Sequence, residues 1–182
     1  MSAKFHATPA RAGGAAFVRA VSAISTACGW LAAGFTVIAL FVTCQMIFVR
    51  FVLGQSTIWQ TEAVIYLMIG ATTIGLPYVQ LLRGHINVDL VPMALPPRAR
   101  LVLAWIVLLS TIVVIGLVAF YSFHVWHEAF ERNWKSSTVW GPRLWIPYLV
   151  LPVGFGLFLL QLFADLVGLA TGATSPFHRG DA

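Results

Sequence analysis

Four long uncharged stretches dominate the pattern of apolar and polar positions along this chain of 182 residues. They cover residues 20–49, 63–82, 101–127 and 144–164. Each stretch is apolar on all sides rather than along one stripe, which is typical of a helix surrounded by lipid and other helices. Even the shortest, as a helix, spans about 30 Å, the thickness of a bilayer's hydrocarbon core. The pattern therefore predicts an all-α membrane protein with four transmembrane helices.

The segments around these stretches predict a simple domain organisation. Residues 1–16 are rich in Ala, Gly and Pro and are expected to form a flexible tail, residues 17–168 the four-helix transmembrane domain, and residues 169–182 a second tail. Polar and apolar residues alternate over 85–90, between the second and third stretches. This alternation predicts a short interfacial segment there.

Composition agrees with a membrane location. Hydrophobic residues make up 59% of the chain and charged residues 9%, which is too apolar for a soluble domain of this size. The basic residues are scattered along membrane edges rather than gathered on one face, so the net charge of +5 does not indicate a nucleic-acid partner.

The distribution of positive charge predicts the orientation of the spans. Seven basic residues belong to one membrane side, namely Lys4, Arg11, Arg19, Arg83, Arg98, Arg100 and Arg179. Four belong to the other side, namely Arg50, Arg132, Lys135 and Arg143. Because cytoplasmic loops carry the excess of Lys and Arg, both termini are expected in the cytoplasm.

None of the four stretches contains Asp, Glu, Lys or Arg. An ion-coupled carrier usually places ionisable groups at membrane depth, so this pattern argues against transport by the chain alone. A self-contained carrier remains an alternative, since hydroxyls such as those of Thr72 and Thr73 are able to bind sodium.

A haem-binding anchor subunit of a redox complex is the other alternative. It requires facing axial histidines, whereas His124 and His127 lie three apart near the end of one span. His127, Glu128 and Glu131 are more typical of a solvated helix end than of a metal cluster. We therefore predict no catalytic, cofactor or metal site, and the chain is not expected to be an enzyme.

The loop between the first two spans has a distinct arrangement of polar groups. Arg50 ends the first span and Glu62 opens the second, so we expect them to form an ion pair across this hairpin. Thr57 and Gln60 have the spacing of a capping box. Trp59 is one of five tryptophans on the predicted outer side, where they either anchor the chain in the interface or contact a partner.

Residues 50–89 resemble the small membrane (DctQ-type) subunit of tripartite ATP-independent periplasmic (TRAP) transporters. The matching residues are Arg50, Trp59, Glu62, Tyr66-Leu67, Ile69-Gly70-Ala71 and Arg83-Gly84-His85-Ile86-Asn87-Val88-Asp89. The chain departs from the family pattern at Thr61, where a second Glu is common, and at Ile65, where an Arg is common.

The resemblance implies an accessory subunit of the bacterial inner membrane. In that family a periplasmic binding protein delivers an organic acid to a large, many-helix subunit, which carries it inward with sodium. The small subunit packs against the large one and steadies its scaffold, so its partners are the large subunit, transiently the binding protein, and membrane lipids. The resemblance makes seven residues candidates for partner contacts, with Arg50, Trp59 and Glu62 on the outer side, Gly70 within the second span, and Arg83, His85 and Asp89 on the inner side.

Overall fold

The protein is a bundle of helices. The computed structural model describes residues 12–82 and 96–170. In chain order its helices are α1 (Ala12–Phe51), α2 (Ile58–Leu81), α3 (Pro97–Glu131), α4 (Trp145–Tyr148) and α5 (Val150–Ala170). Within these ranges there is no β-strand, only one isolated antiparallel bridge between Lys135 and Arg143.

Four helical segments of the described chain are long and apolar enough to cross a membrane. They are Ala16–Phe51, Ile58–Leu81, Leu101–Glu131 and Trp145–Ala170. This confirms the predicted all-α, four-span fold. The predicted interfacial segment at 85–90 lies outside the described residues.

The helices extend beyond the uncharged stretches that predicted them. Helix α1 runs without a break for 40 residues, or about 60 Å, which is twice the thickness of the hydrocarbon core. It must therefore tilt or extend into the aqueous phase. The fourth span is divided instead, since α4 ends at Tyr148 and α5 begins at Val150.

Helix α5 lies at the centre of the bundle. It contacts α1, α2, α3 and α4, whereas the other large interface joins α1 to α2. Its buried residues are Gly154, Phe158, Gln161, Leu162, Ala164 and Gly168. Two glycines set close helix crossings: a Cβ at Gly29 would lie 2.5 Å from Cγ of Tyr78, and one at Gly154 would lie 2.7 Å from the carbonyl oxygen of Thr73.

Helix α3 lies at the edge and packs mainly against α5 and α4. In its most apolar 18-residue window no residue is buried by the rest of the described chain. Large apolar side chains from Leu101 to Phe130 are therefore exposed on this helix and need lipid or another protein to cover them.

Candidate partner interface

The two loops at residues 52–57 and 132–144 lie at one end of the bundle, here called the hairpin end. The opposite end, where the described chain begins and stops, is called the terminal end. The second loop contacts α2 directly, because the hydroxyl of Ser136 donates a hydrogen bond to Oε1 of Glu62. Glu62 lies in the first turns of α2, so this bond fixes the second loop over the beginning of that helix.

Glu62 therefore has a different partner from the one expected. Arg50 forms no ion pair with Glu62, whereas Arg132 pairs with Glu128 at 3.3 Å and Nδ1 of His127 lies 3.7 Å from Oε2 of Glu131. The second carboxylate oxygen of Glu62, Oε2, is buried without a hydrogen-bond partner there. The predicted Arg50–Glu62 pair is wrong, because a hydroxyl from a loop distant in sequence reaches the carboxylate instead.

Arg50 lies in the last turn of α1, where a cation complements the negative end of the helix dipole. Its side chain is exposed. It borders a cavity of about 370 Å³ that is also lined by Gln55, Ser56, Thr57, Ile58 and Thr61. Arg50 is thus free to meet a group outside the described part of the chain.

The second loop is a short hairpin with two left-handed residues. The amide of Ser136 donates to the carbonyl of Pro142 at 3.0 Å, and the amide of Leu144 donates to that of Trp134 at 2.9 Å. Asn133 has φ +47° and Gly141 has φ +53°, the conformation that lets the chain reverse sharply at each position. The hairpin therefore has a defined shape at the membrane boundary.

Aromatic side chains join the second loop to the first turn of α2. The rings of Trp59 and Trp140 lie 6.4 Å apart, and the two side chains are 44% and 47% exposed. A second group, Trp126, Phe130 and Trp145, ties the end of α3 to α4 with ring distances of 5.8 Å and 5.6 Å. The sequence predicted that Trp59 lies at this end, but only the structure shows that its ring contacts Trp140.

Gly70 lies inside the subunit. It is buried, and the ring of Phe35 would lie 3.1 Å from a Cβ at this position, with Val150 at 3.9 Å. Any substitution there acts first on the packing of α2 against α1 and α5. The three remaining candidates, Arg83, His85 and Asp89, lie outside the described residues.

A network of polar side chains, two of them fully buried and two half-buried, connects three helices near the terminal end. The hydroxyl of Ser25 in α1 donates to Oε1 of Gln161 in α5 at 2.7 Å. Nε2 of Gln161 donates to Oδ1 of Asp165 at 3.1 Å, and Nε2 of Gln80 in α2 donates to Oδ2 of the same carboxylate at 2.9 Å. Sequence reasoning missed this network, although glutamines inside apolar spans are a usable signal because they need partners there.

In the described ranges the structure contains no group of three or more His, Cys, Asp or Glu side chains able to hold a metal ion. His127 and Glu131 face each other, while Glu128 is paired with Arg132. The two acids of this helix end therefore have separate partners.

Comparison with known families gives a match over most of the chain. The model of the DctQ component of tripartite ATP-independent periplasmic transporters matches residues 38–172, well over half of the chain. Searches of curated proteins and of solved structures find no match. The matched region contains α2, α3, α4, α5 and the hairpin end, including the Glu62–Ser136 contact. The chain therefore belongs to the DctQ family, the small membrane component of TRAP transporters.

Proposed function

We propose that this chain is the accessory permease subunit of a sodium-coupled transporter for organic acids such as dicarboxylates. It packs against the large transport subunit and stabilises the scaffold of that subunit. The observation that carries this proposal is the Ser25–Gln161–Asp165–Gln80 network. Its polar groups are used to hold helices together, whereas a subunit that carries ions needs such groups available to the cargo.

Exposed surfaces on α1 and α3 support packing against a large partner. Four small residues, Ala16, Ala20, Ala23 and Ala27, recur along α1 at helical spacing and are all exposed. Small residues let a second membrane helix approach closely. The apolar surface of α3 adds area for the same partner or for lipid.

The orientation follows from the charge distribution. Both termini lie in the cytoplasm and the hairpin end faces the periplasm, because most of the basic residues then lie inside. Arg50, Trp59 and Glu62 then lie on the side from which a periplasmic binding protein approaches, and that protein is the transient partner. Arg83, His85 and Asp89 fix the inner turn or contact the large subunit or lipid phosphates.

Reconstitution tests the proposed function. Proteoliposomes with a sodium gradient should take up a labelled dicarboxylate when they contain both membrane subunits and the binding protein is added. The small subunit alone should give no uptake, and omission of it should lower the uptake. Sodium-driven uptake by the small subunit alone would contradict the proposal.

A further inference from the structure

The hairpin brings two basic side chains directly opposite each other. Lys135 and Arg143 form the isolated antiparallel bridge, and the hydrogen bonds on either side join their neighbours rather than the two residues themselves. This is the non-hydrogen-bonded type of pair, in which the Cα atoms are only about 4.5 Å apart and both side chains lie on the same face. Both side chains are exposed.

Within the described chain neither side chain forms an ion pair with an acid. Glu128 is paired with Arg132, Glu131 lies against His127, and the Glu62 carboxylate contacts Ser136 rather than either cation. Like charges directly opposite each other on a sheet are destabilising. An anion bound between the two cations would remove that repulsion.

The depth of the pair follows from α2. This span has 24 residues and is about 36 Å long, so its ends lie only a few ångströms beyond a hydrocarbon core of about 30 Å. Glu62 is about 6 Å along the helix from Ile58, and Ser136 is bonded to Glu62. Lys135 is the next residue, so the pair lies at the boundary between the hydrocarbon core and the headgroup layer, and long basic side chains reach outward from there into the headgroups.

The direction of the pair is away from the bundle. Successive side chains of an extended strand point to opposite faces, and Ser136 points to Glu62. Lys135 and Arg143 therefore face outward. At the tip of the same hairpin, Val139 is 91% exposed and Trp140 is 47% exposed, an apolar tip of the kind that inserts among lipids.

We propose that Lys135 and Arg143 bind the phosphate of an anionic phospholipid, with Val139 and Trp140 inserted beside its acyl chains. The headgroup depth and the apolar tip favour a lipid over an acidic protein surface. The proposal requires only that the chain spans a bilayer, so it is independent of the proposed function.

Retention of lipid by the full-length chain tests this site. The protein is taken from bilayers of phosphatidylcholine containing phosphatidylglycerol, and bound lipid is counted by native mass spectrometry. Lys135→Gln and Arg143→Gln should each lower phosphatidylglycerol retention about fivefold, the effect of removing one cation near a membrane surface, and the double variant more. Arg132→Gln is the matched control, because it removes one positive charge only three residues before Lys135. Arg132 is already paired with Glu128, so this variant should change phosphatidylglycerol retention little.

Unfolding of the double variant should not account for a loss of lipid. The variant removes a repulsion, so it should unfold at the same temperature as the parent chain or a higher one. Unchanged phosphatidylglycerol retention in the double variant would overturn the proposal. So would an equal loss in Arg132→Gln, or displacement of the lipid by the same concentration of glycerol phosphate. Normal lipid retention together with loss of a copurifying protein would assign the pair to an acidic protein surface instead.

Discussion

Single residues at helix crossings control how closely the spans approach. Gly154 packs on Thr73 of α2, and a Cβ there would lie 2.5 Å from its Cγ2 and 2.7 Å from its carbonyl oxygen. Because one of these neighbours is backbone, the contact is not relieved by rotation of a side chain. Gly156, two residues further along α5, has nothing within 4 Å of its Cβ position and is exposed.

Gly154→Ala should therefore destabilise the bundle while Gly156→Ala does not. The first forces α2 and α5 apart, an overpacking typically costing about 1–3 kcal/mol. The second places Ala in a helix without a clash and should stabilise it by about 0.5–1 kcal/mol. Thermal unfolding of the purified chain in mild detergent measures both. Equal midpoints for the two variants would show that the α2–α5 crossing is not this close.

The contact of Glu62 should appear as a coupling to Ser136 and not to Arg50. In a double-mutant cycle, Ser136→Ala with Glu62→Ala should give a coupling free energy of about 1.5–3 kcal/mol, the range for hydrogen bonds to charged groups. Arg50→Gln with Glu62→Ala is the control and should be additive within about 0.5 kcal/mol. The unfolding free energies of the three single variants, the two double variants and the parent provide both values, and a larger coupling of Glu62 to Arg50 than to Ser136 would support the ion pair across the first loop instead.

For single residues, the sequence predicted the position along a helix better than it predicted the hydrogen-bond partner. Arg50 does lie in the last turn of the first helix, and Trp59 does lie in the first turn of the second. Thr57 is the N-cap residue, but its side chain makes no capping bond, and Thr61 donates to its carbonyl at 3.1 Å instead. The partner of Glu62 is 74 residues away, so no local spacing rule indicates it.

At the scale of helices, apolar length predicts that a span exists but not where its helix ends. The uncharged stretch 101–127 became a helix from Pro97 to Glu131. Charged residues mark the edge of the hydrocarbon core, but they are compatible with a helix that continues into the headgroup layer. Helix α1 is longer than its stretch for the same reason.

Helix pairing near the terminal end should depend on Ser25. Ser25→Ala leaves Oε1 of buried Gln161 without its donor and should cost about 0.6–1.7 kcal/mol, the range for interhelical hydrogen bonds in membranes. Thr26→Ala is the matched control, because the exposed Thr26 hydroxyl donates only to Ser22 of its own helix. Thermal unfolding of the two purified variants in mild detergent measures the loss of stability. Equal losses would mean that the Ser25–Gln161 hydrogen bond does not contribute to stability.

At the scale of the whole molecule, a central helix is surrounded by three spans whose outer surfaces are apolar. The apolar pattern predicted four spans, but it contains no information on which one is central, because all four are apolar on every side. The buried small residues of α5, such as Gly154, Ala164 and Gly168, let the neighbouring helices approach it closely enough for it to lie at the centre. The DctQ component is one part of a tripartite transporter, so the proposed accessory role assigns part of this exposed surface to the large subunit.

Affinity purification of the tagged chain from the native membrane in mild detergent, followed by identification of what accompanies it, tests the accessory role most directly. We expect one many-span membrane protein at a fixed ratio to this chain, together with loss of that protein when Ala23 on the exposed α1 strip is replaced by Trp. A chain that purifies without a partner and moves sodium in liposomes, or that shows a Soret absorbance band, would contradict the accessory role.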